Sequence, residues 1–439
     1  MTHDLSQVVG INPGEAIFLP AFQLPVIGDL SNDDPEARAF FPGSGLLNWY
    51  DPTNEHFAHC AGLYSLGQSS LDLDNRHETM ITHRDRERTL LIADSGGYQL
   101  GKNTFKAIKG KMSPAFLKCA EYDTLRLSVL KWMEKYADYG MIIDFPAWAI
   151  GKEGFIFKSF KECLRETKRN MEFFRDHMSG TSDLKLLSVV QGRNIHEAWL
   201  WYESIRDVQD FPYAGWSFAG PVVSDSTITL RMILKLLSDG RLNKRENWLH
   251  MLGRGSAGSI FVFNVLQQCL DEYINKGIRI SFDVSTPFKE AGQHGKVYTH
   301  LDKTDNGYSM PLTKYSELDS LIKLVSKFPV NVEWSGVFDN DVVIEEMEVP
   351  ISDEHQYGLD GKSGTYLAHR NLCLYHKAME IITWNTKALE EKENAPAFPD
   401  LMRRFRRDVR TIFERFVSGN LSDSQIKYLD ISREYESLI

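Results

Sequence analysis

The sequence has few cysteines and no paired cysteine motif. The cysteines are odd in number, far apart, and without a C-x-x-C pair; they are Cys60, Cys119, Cys163, Cys269 and Cys373. A zinc ribbon and a disulfide framework are therefore disfavoured. Reduced thiols are typical of a cytoplasmic protein, which is the location that we expect.

Long apolar runs and an excess of positive charge are also absent. No apolar stretch reaches the roughly 18 residues that a membrane-spanning helix needs, and the first residues show no signal-peptide pattern. We therefore expect no membrane association. The formal net charge is -10, so an interaction with nucleic acid would require a local basic surface.

Short apolar runs recur along the chain, with room for a helix between most of them. Continuous apolar strands that alternate with helices indicate a parallel sheet covered on both faces. Eight such units predict an α/β protein with a (β/α)8 TIM barrel. The predicted strands are 16–22, 89–93, 141–143, 186–190, 213–218, 248–252, 278–282 and, more weakly, 332–337.

The last third of the chain departs from this alternation. Residues 301–352 read as an irregular insertion into the barrel, and from residue 366 the pattern is helical. We therefore predict a barrel domain over 1–365, with this insertion, and a C-terminal helical extension over 366–439.

Polar residues and glycines follow most of the predicted strands. Asp94, Asp144, Gln191 and Asp283 each come at or just after the end of an apolar run. In a TIM barrel these positions converge on one mouth, where the active site lies. One carboxylate suits the N–H edge of a guanine-type base, and two others suit glycosidic bond cleavage by double displacement.

These segments resemble, in order, the motifs of the tRNA-guanine transglycosylase family. Residues 94–99 read D-S-G-G-Y-Q, which is similar to the family's D-S-G-G-(F/Y)-Q signature. V-Q-G at 190–192, A-G-P at 219–221, L-G-R-G at 252–255 and F-D-V at 282–284 resemble further family elements. The resemblance covers roughly residues 94–299 and implies an enzyme that exchanges a base in nucleic acid.

The resemblance also implies a role for each matching residue. Asp283 resembles the nucleophile that forms a covalent nucleic-acid intermediate, and Asp94 resembles the general acid and base. Asp144 would read the N1 and amino edge, with Gln191 and the Gly220 amide donating to the base carbonyl. The implied substrate contacts are Ser95, Tyr98, Asp144, Gln191, Gly220, Pro221, Leu252 and Gly253.

Two departures from the family affect the substrate and the metal. The family's cysteine-rich zinc site has no counterpart here, although His369 lies near the place of its histidine. We therefore predict no metal, and no other cofactor. The loop with which the family contacts tRNA keeps Lys289 but lacks both of its arginines.

Because residues for the base persist while those for tRNA have changed, the DNA-modifying branch of the family fits best. The predicted reaction replaces guanine in DNA with 7-cyano-7-deazaguanine, and an ATP-dependent DNA-opening protein is a candidate partner. Two alternatives stay open: a tRNA-guanine transglycosylase without zinc, and a non-catalytic subunit that binds nucleic acid or a partner. The predicted nucleic-acid contacts are Lys289, Arg403, Arg404, Arg406 and Arg407.

Overall fold

The computed structural model describes most of the 439 residues. The described ranges are 4–31, 47–55, 57–74, 78–108, 110–299, 301–304, 306–314, 327–334, 342–348, 361–391 and 399–427, together with the single residues 429, 435 and 438.

Eight parallel strands form a nearly closed barrel surrounded by helices, which confirms the predicted (β/α)8 fold. The strand order is β1-β8-β7-β6-β5-β4-β3-β2, and a parallel bridge between Ala21 and Leu63 joins the two end strands. The strands are β1 Ile17–Pro20, β2 Ala61–Ser65, β3 Leu90–Asp94, β4 Tyr139–Met141, β5 Lys185–Val190, β6 Tyr213–Phe218, β7 Trp248–Met251 and β8 Arg279–Val284.

The prediction of the eighth strand was wrong. The missing strand is β2, whose sequence A-G-L-Y-S has too few large apolar residues to form a recognisable run. Gly62 is required there, because a Cβ at this position would lie 2.3 Å from the Phe22 ring. Residues 332–334 of the segment predicted as a strand lie instead in an antiparallel pair outside the barrel, and 335–337 lie outside the described residues.

Four of the described outer helices begin with a side-chain cap, from Ser159, Asn194, Asp225 and Ser256. Ser159 also forms a capping box with Glu162. The helices are α1 Leu24–Ser31, α2 Thr79–Thr82, α3 Gly97–Gly101, α4 Ala120–Tyr136, α5 Phe160–His177, α6 Ile195–Ile205, α7 Pro221–Ser224, α8 Ser226–Ser238, α9 Ala257–Tyr273, α10 Thr286–His294, α11 Gly361–Glu391, α12 Asp400–Val417 and α13 Asp423–Lys427. None of these described helices is both long and apolar enough to cross a membrane.

The region predicted as an irregular insertion contains regular structure. Its described part holds two antiparallel strand pairs, β10 with β11 and β13 with β14, and a further strand, β12, that pairs with β9 just before the region. The strands are β9 Lys296–Tyr298, β10 Asp302–Lys303, β11 Tyr308–Ser309, β12 Leu312–Lys314, β13 Lys327–Trp334 and β14 Val342–Glu348.

The C-terminal helices pack on the barrel. Helix α11 contacts α1, α9 and α10, and α12 contacts α9. The predicted boundary at residues 365 and 366 lies inside α11, which begins at Gly361. The extension is thus continuous in packing with the helical layer of the barrel.

Candidate functional site

A cavity of about 680 Å³ opens at the carboxyl end of the barrel strands. This volume lies within the range of small-molecule sites. The structure brings nine residues predicted from sequence together in its lining: Asp94, Tyr98, Asp144, Gln191, Gly220, Leu252, Gly253, Asp283 and Lys289. The three carboxylates are buried, so their environment decides their chemistry.

Asp283 is held through one of its two carboxylate oxygens. The Gly253 N–H donates to Oδ1 at 2.6 Å, and His250 Nε2 lies 3.3 Å from the same oxygen. Oδ2 has no hydrogen-bond donor among the residues that the structure describes. A carboxylate fixed at one oxygen and free at the other is suited to act as a nucleophile.

His250 belongs to a chain of hydrogen bonds that ends at Asp283. Trp248 Nε1 donates to Ser281 Oγ at 2.8 Å, and Ser281 Oγ lies 2.8 Å from His250 Nδ1. An ionised carboxylate only accepts, so Nε2 of His250 carries the proton directed at Asp283. In the neutral imidazole, Ser281 then donates to Nδ1. This chain fixes the ring and, through it, the carboxylate.

The loop after β7 connects Asp283 to the C-terminal extension. Gly253 has φ +68°, a left-handed conformation that glycine adopts without strain. Two residues later, the carbonyl of Gly255 accepts a hydrogen bond from the Tyr375 hydroxyl of α11. The backbone that holds the carboxylate is therefore itself supported by a residue outside the barrel.

Asp94 is held by donors of a different kind. The Ser65 hydroxyl lies 2.6 Å from Oδ2, and the Gly96 N–H also donates to the carboxylate. Burial raises the pKa of Asp94; the Ser65 and Gly96 hydrogen bonds oppose this shift, and the nearby Asp283 adds to it. A carboxyl group with a raised pKa is suited to give and take a proton near neutral pH.

Asp144 is the third buried carboxylate. The Gln191 amide donates to its Oδ2 at 2.6 Å. Burial raises the pKa of Asp144 to about 7, with the hydrogen bond from Gln191 opposing the shift and the charge of Asp94 adding to it. A Cβ on Gly97 would lie 2.5 Å from Oδ1, so glycine is required there. Gln191, which was predicted to bind a base carbonyl, uses one amide hydrogen on this carboxylate.

Aromatic and basic side chains lie around the rim of the cavity. Tyr98 is 55% exposed, and its ring centroid lies 5.6 Å from that of Trp148. Lys289 Nζ lies 5.7 Å from the Tyr98 ring centroid, and Lys152 Nζ lies 4.3 Å from that of Trp148. The rim thus offers flat apolar faces with positive charge beside them.

Two predicted substrate contacts do not line the cavity. The Ser95 side chain is fully buried and donates to the Ile142 carbonyl at 2.9 Å, so it supports the loop rather than facing the cavity. Pro221 is the first residue of α7 and is not part of the lining.

The arginines of α12, which were predicted to contact nucleic acid, lie away from the cavity lining. None of them lines the cavity, and Arg406 is largely buried. Arg403 and Arg404 pair with Asp400, which lies three and four residues earlier on the same helix face, and Arg407 pairs with Asp408. Acidic neighbours in the helix therefore take up much of this positive charge.

His369 lies in a buried aromatic cluster rather than among metal ligands. Its Nδ1 lies 3.0 Å from the Leu47 carbonyl, its ring contacts Trp49 and Phe57, and burial lowers its pKa to about 3. Within the described ranges, no group of three or more histidine, cysteine, aspartate or glutamate side chains is arranged to hold a metal ion.

Sequence reasoning missed four residues of the site: His250, Ser65, Trp148 and Arg254. The signal for His250 was its spacing on β7, because alternate strand residues share a face and His250 lies two positions before Leu252. Ser65 ends the strand that was not predicted, and Trp148 and Arg254 carried no distinguishing pattern.

No protein-family model matches the sequence, and no curated protein matches it.

The raised pKa of Asp144 predicts a pH-dependent gain in stability for Asp144→Asn. The asparagine keeps an oxygen for the Gln191 amide but never ionises. A raised carboxyl pKa stabilises the folded protein at low pH, and this contribution is lost as pH rises from about 4 to about 7. The melting temperature of the variant should therefore exceed that of the wild type by a few degrees at pH 8, and by much less at pH 5.

Thermal unfolding at both pH values measures this difference. The same substitution at the exposed Asp74 serves as the control and should change little at either pH. A variant that is less stable than the wild type at pH 8 would contradict the prediction.

Proposed function

We propose that this protein is a transglycosylase that replaces guanine in DNA with a 7-deazaguanine such as 7-cyano-7-deazaguanine. The observation that carries the proposal is the geometry around Asp283. One carboxylate oxygen is anchored, the other is free of donors within the described structure, and two further buried carboxylates line the same cavity. A double displacement at a glycosidic carbon requires a carboxylate nucleophile and a second carboxyl group that acts as acid and base.

In the first displacement, Oδ2 of Asp283 attacks C1′ of the target nucleotide, and the bond from C1′ to N9 breaks. The electron pair of that bond leaves with the base, and Asp94 supplies a proton to the base. Burial raises the pKa of Asp94, which favours the protonated form needed for this step. The sugar is left joined to Asp283 as an ester.

In the second displacement, the entering 7-deazaguanine takes the position of guanine. Asp94, now ionised, removes the N9 proton, and N9 attacks C1′ while the Asp283 carboxylate leaves. After this step Asp94 is protonated and Asp283 is ionised, as both were before the first displacement. No nucleoside triphosphate or redox cofactor takes part in either balanced step.

Base recognition falls to the deep part of the cavity. An ionised Asp144 accepts hydrogen bonds from N1–H and the exocyclic amino group, an edge that guanine and 7-deazaguanines share. The second amide hydrogen of Gln191 and the Gly220 N–H are available for the base carbonyl. Tyr98 and Leu252 supply apolar surface for the two faces of the ring.

DNA is favoured over tRNA by residues 287–295, which lack the arginines with which the tRNA enzymes hold their substrate and which here form most of α10 and its C-cap. The guanosine must leave the base stack to reach Asp283, which costs a few kcal/mol and is easiest in single-stranded or distorted DNA. A non-catalytic role is disfavoured because a binding subunit gains nothing from three buried carboxylates that are costly to desolvate.

Base incorporation tests the reaction and the polymer. Labelled 7-cyano-7-deazaguanine or guanine, supplied with single-stranded DNA, should enter the DNA with the wild-type protein and not with Asp283→Ala. The exposed Glu87, at the opposite end of the barrel, provides the control Glu87→Gln, which should retain full activity. Label entering tRNA alone would replace DNA with tRNA in the proposal, and activity of Asp283→Ala would overturn the mechanism.

The affinity for the free base should depend on pH through Asp144. Only the ionised carboxylate accepts both hydrogen bonds, and the pKa of Asp144 in the free protein is about 7. The affinity for 7-cyano-7-deazaguanine should therefore fall about tenfold per pH unit below pH 7 and level off above it. Calorimetric titration across this range measures the effect, and Asp144→Asn should bind weakly with a flat profile. An unchanged pH dependence in that variant would assign the titration to another group.

A pair of glycine substitutions isolates the anchoring of Asp283. Gly253 and Gly240 have similar left-handed conformations, with φ +68° and +66°, and neither has atoms within 4 Å of an added Cβ. They lie at opposite ends of β7. Gly253→Ala and Gly240→Ala should each lose about 1–2 kcal/mol of stability, measured by chemical denaturation. Only Gly253→Ala should also lose base exchange, because backbone rotation that relieves the strain at residue 253 turns its N–H away from Asp283. Equal activity in the two variants would contradict the role of this N–H.

A further inference from the structure

Arg254 is a cation in the active-site cavity that has no partner in the protein. Its side chain is partly buried and lines the cavity, yet it forms no hydrogen bond or ion pair with any residue that the structure describes. Burial alone lowers its pKa, with no carboxylate opposing the shift. Arginines that pair with acids are common elsewhere in this chain, as Arg84 with Asp138 and Arg193 with Glu197 illustrate. A desolvated guanidinium left unpaired is therefore the exception here.

Arg254 lies in the loop that holds Asp283. It lies between Gly253, whose N–H holds Asp283, and Gly255, whose carbonyl accepts from Tyr375. Both neighbours in the chain are therefore fixed, which restricts where the guanidinium can reach. Lys289, from α10, lines the same cavity, and it too forms no ion pair within the described part of the chain.

Charge is graded between the deep part and the rim of the cavity. The carboxylates of Asp94, Asp144 and Asp283 are at most 9% exposed, whereas Arg254 and Lys289 are more open to solvent. A ligand that matches this gradient carries N–H donors on its inner part and negative charge on its outer part. A nucleotide within a nucleic-acid strand has this form, because its base edge donates and its phosphodiesters are anionic.

We propose that Arg254 binds the phosphodiester next to the target nucleotide and so holds its sugar over Asp283. This inference rests on the proposed function and names the part of the polymer that the site grips. A guanidinium can form two parallel hydrogen bonds to a phosphate, which a lysine cannot, so Arg254 gives orientation and Lys289 gives additional charge. Arg254, in the loop after β7, thus takes the place of the two arginines that this chain lacks in the segment of α10.

Binding to a single-stranded oligodeoxynucleotide with one guanine tests the proposal, with fluorescence anisotropy as the measurement. Arg254→Gln should bind about tenfold more weakly than the wild type. The slope of log affinity against log salt concentration should fall by about 0.7, the value for one phosphate contact on a single strand. Arg245→Gln is the matched control, because it removes an exposed arginine at the opposite end of β7 and should change neither quantity.

Oligonucleotides in which one phosphodiester is replaced by a neutral methylphosphonate identify the phosphate that Arg254 contacts. Substituted singly on either side of the target guanosine, one of the two should weaken binding of the wild type about as much as Arg254→Gln does. The same substitution should have no effect on binding by Arg254→Gln, since the contact is already lost. The inference is overturned if Arg254→Gln retains the affinity and salt slope of the wild type, or if both methylphosphonates weaken binding of the variant and of the wild type equally.

Failure of this inference can be told apart from failure of the proposed function. Binding that depends on Arg254 without any base exchange supports the phosphate contact and contradicts the reaction. Base exchange with a salt slope that does not depend on Arg254 supports the reaction and contradicts the phosphate contact. A wild-type protein that binds neither this strand nor the matching RNA overturns both.

Discussion

Three carboxylates are buried at the mouth of the barrel without an ion pair to a lysine or arginine of the described residues, and this is the constraint on which the site depends. Removing a carboxylate from water is costly, and folded proteins usually offset that cost with a charged partner. Here the partners of Asp94, Asp144 and Asp283 are a serine hydroxyl, an amide, an imidazole and backbone N–H groups. These hold the carboxylates in position without lowering their proton affinity as much as an arginine would.

As a consequence, the position of each carboxylate and its affinity for a proton are determined by different features of the site. The hydrogen bonds fix each carboxylate, and burial raises the pKa of Asp94 and of Asp144. Two of the fixing groups are N–H groups of glycines with positive φ, Gly96 beside Asp94 and Gly253 beside Asp283. Since both follow strands of the barrel, the strand ends determine where the carboxylates lie, and the left-handed turns aim the N–H groups at them.

Much of this arrangement could be predicted from the sequence, for identifiable reasons. Seven barrel strands lie in or overlap mostly apolar runs of the sequence, and the acids, amide and glycines that follow them converge because the strands are parallel. Strand β2 was missed because its small residues fit against Phe22, a contact that no local pattern reveals. The ion pairs of the α12 arginines with Asp400 depend on helical geometry and could not be read from composition.

His250 shows why a lone residue resists interpretation from sequence. A single histidine in a buried strand is most often part of the core, and only the three-dimensional register places it between Ser281 and Asp283. The fold, by contrast, is established by the order of the strands.

The hydrogen bond from Tyr375 to Gly255 gives the C-terminal helix a mechanical role. Helix α11 reaches Asp283 through one hydroxyl and three residues of loop, so a displacement of the helix would move the backbone that holds this carboxylate. Removal of the extension would, for the same reason, release the loop after β7 even though every residue in the cavity remained.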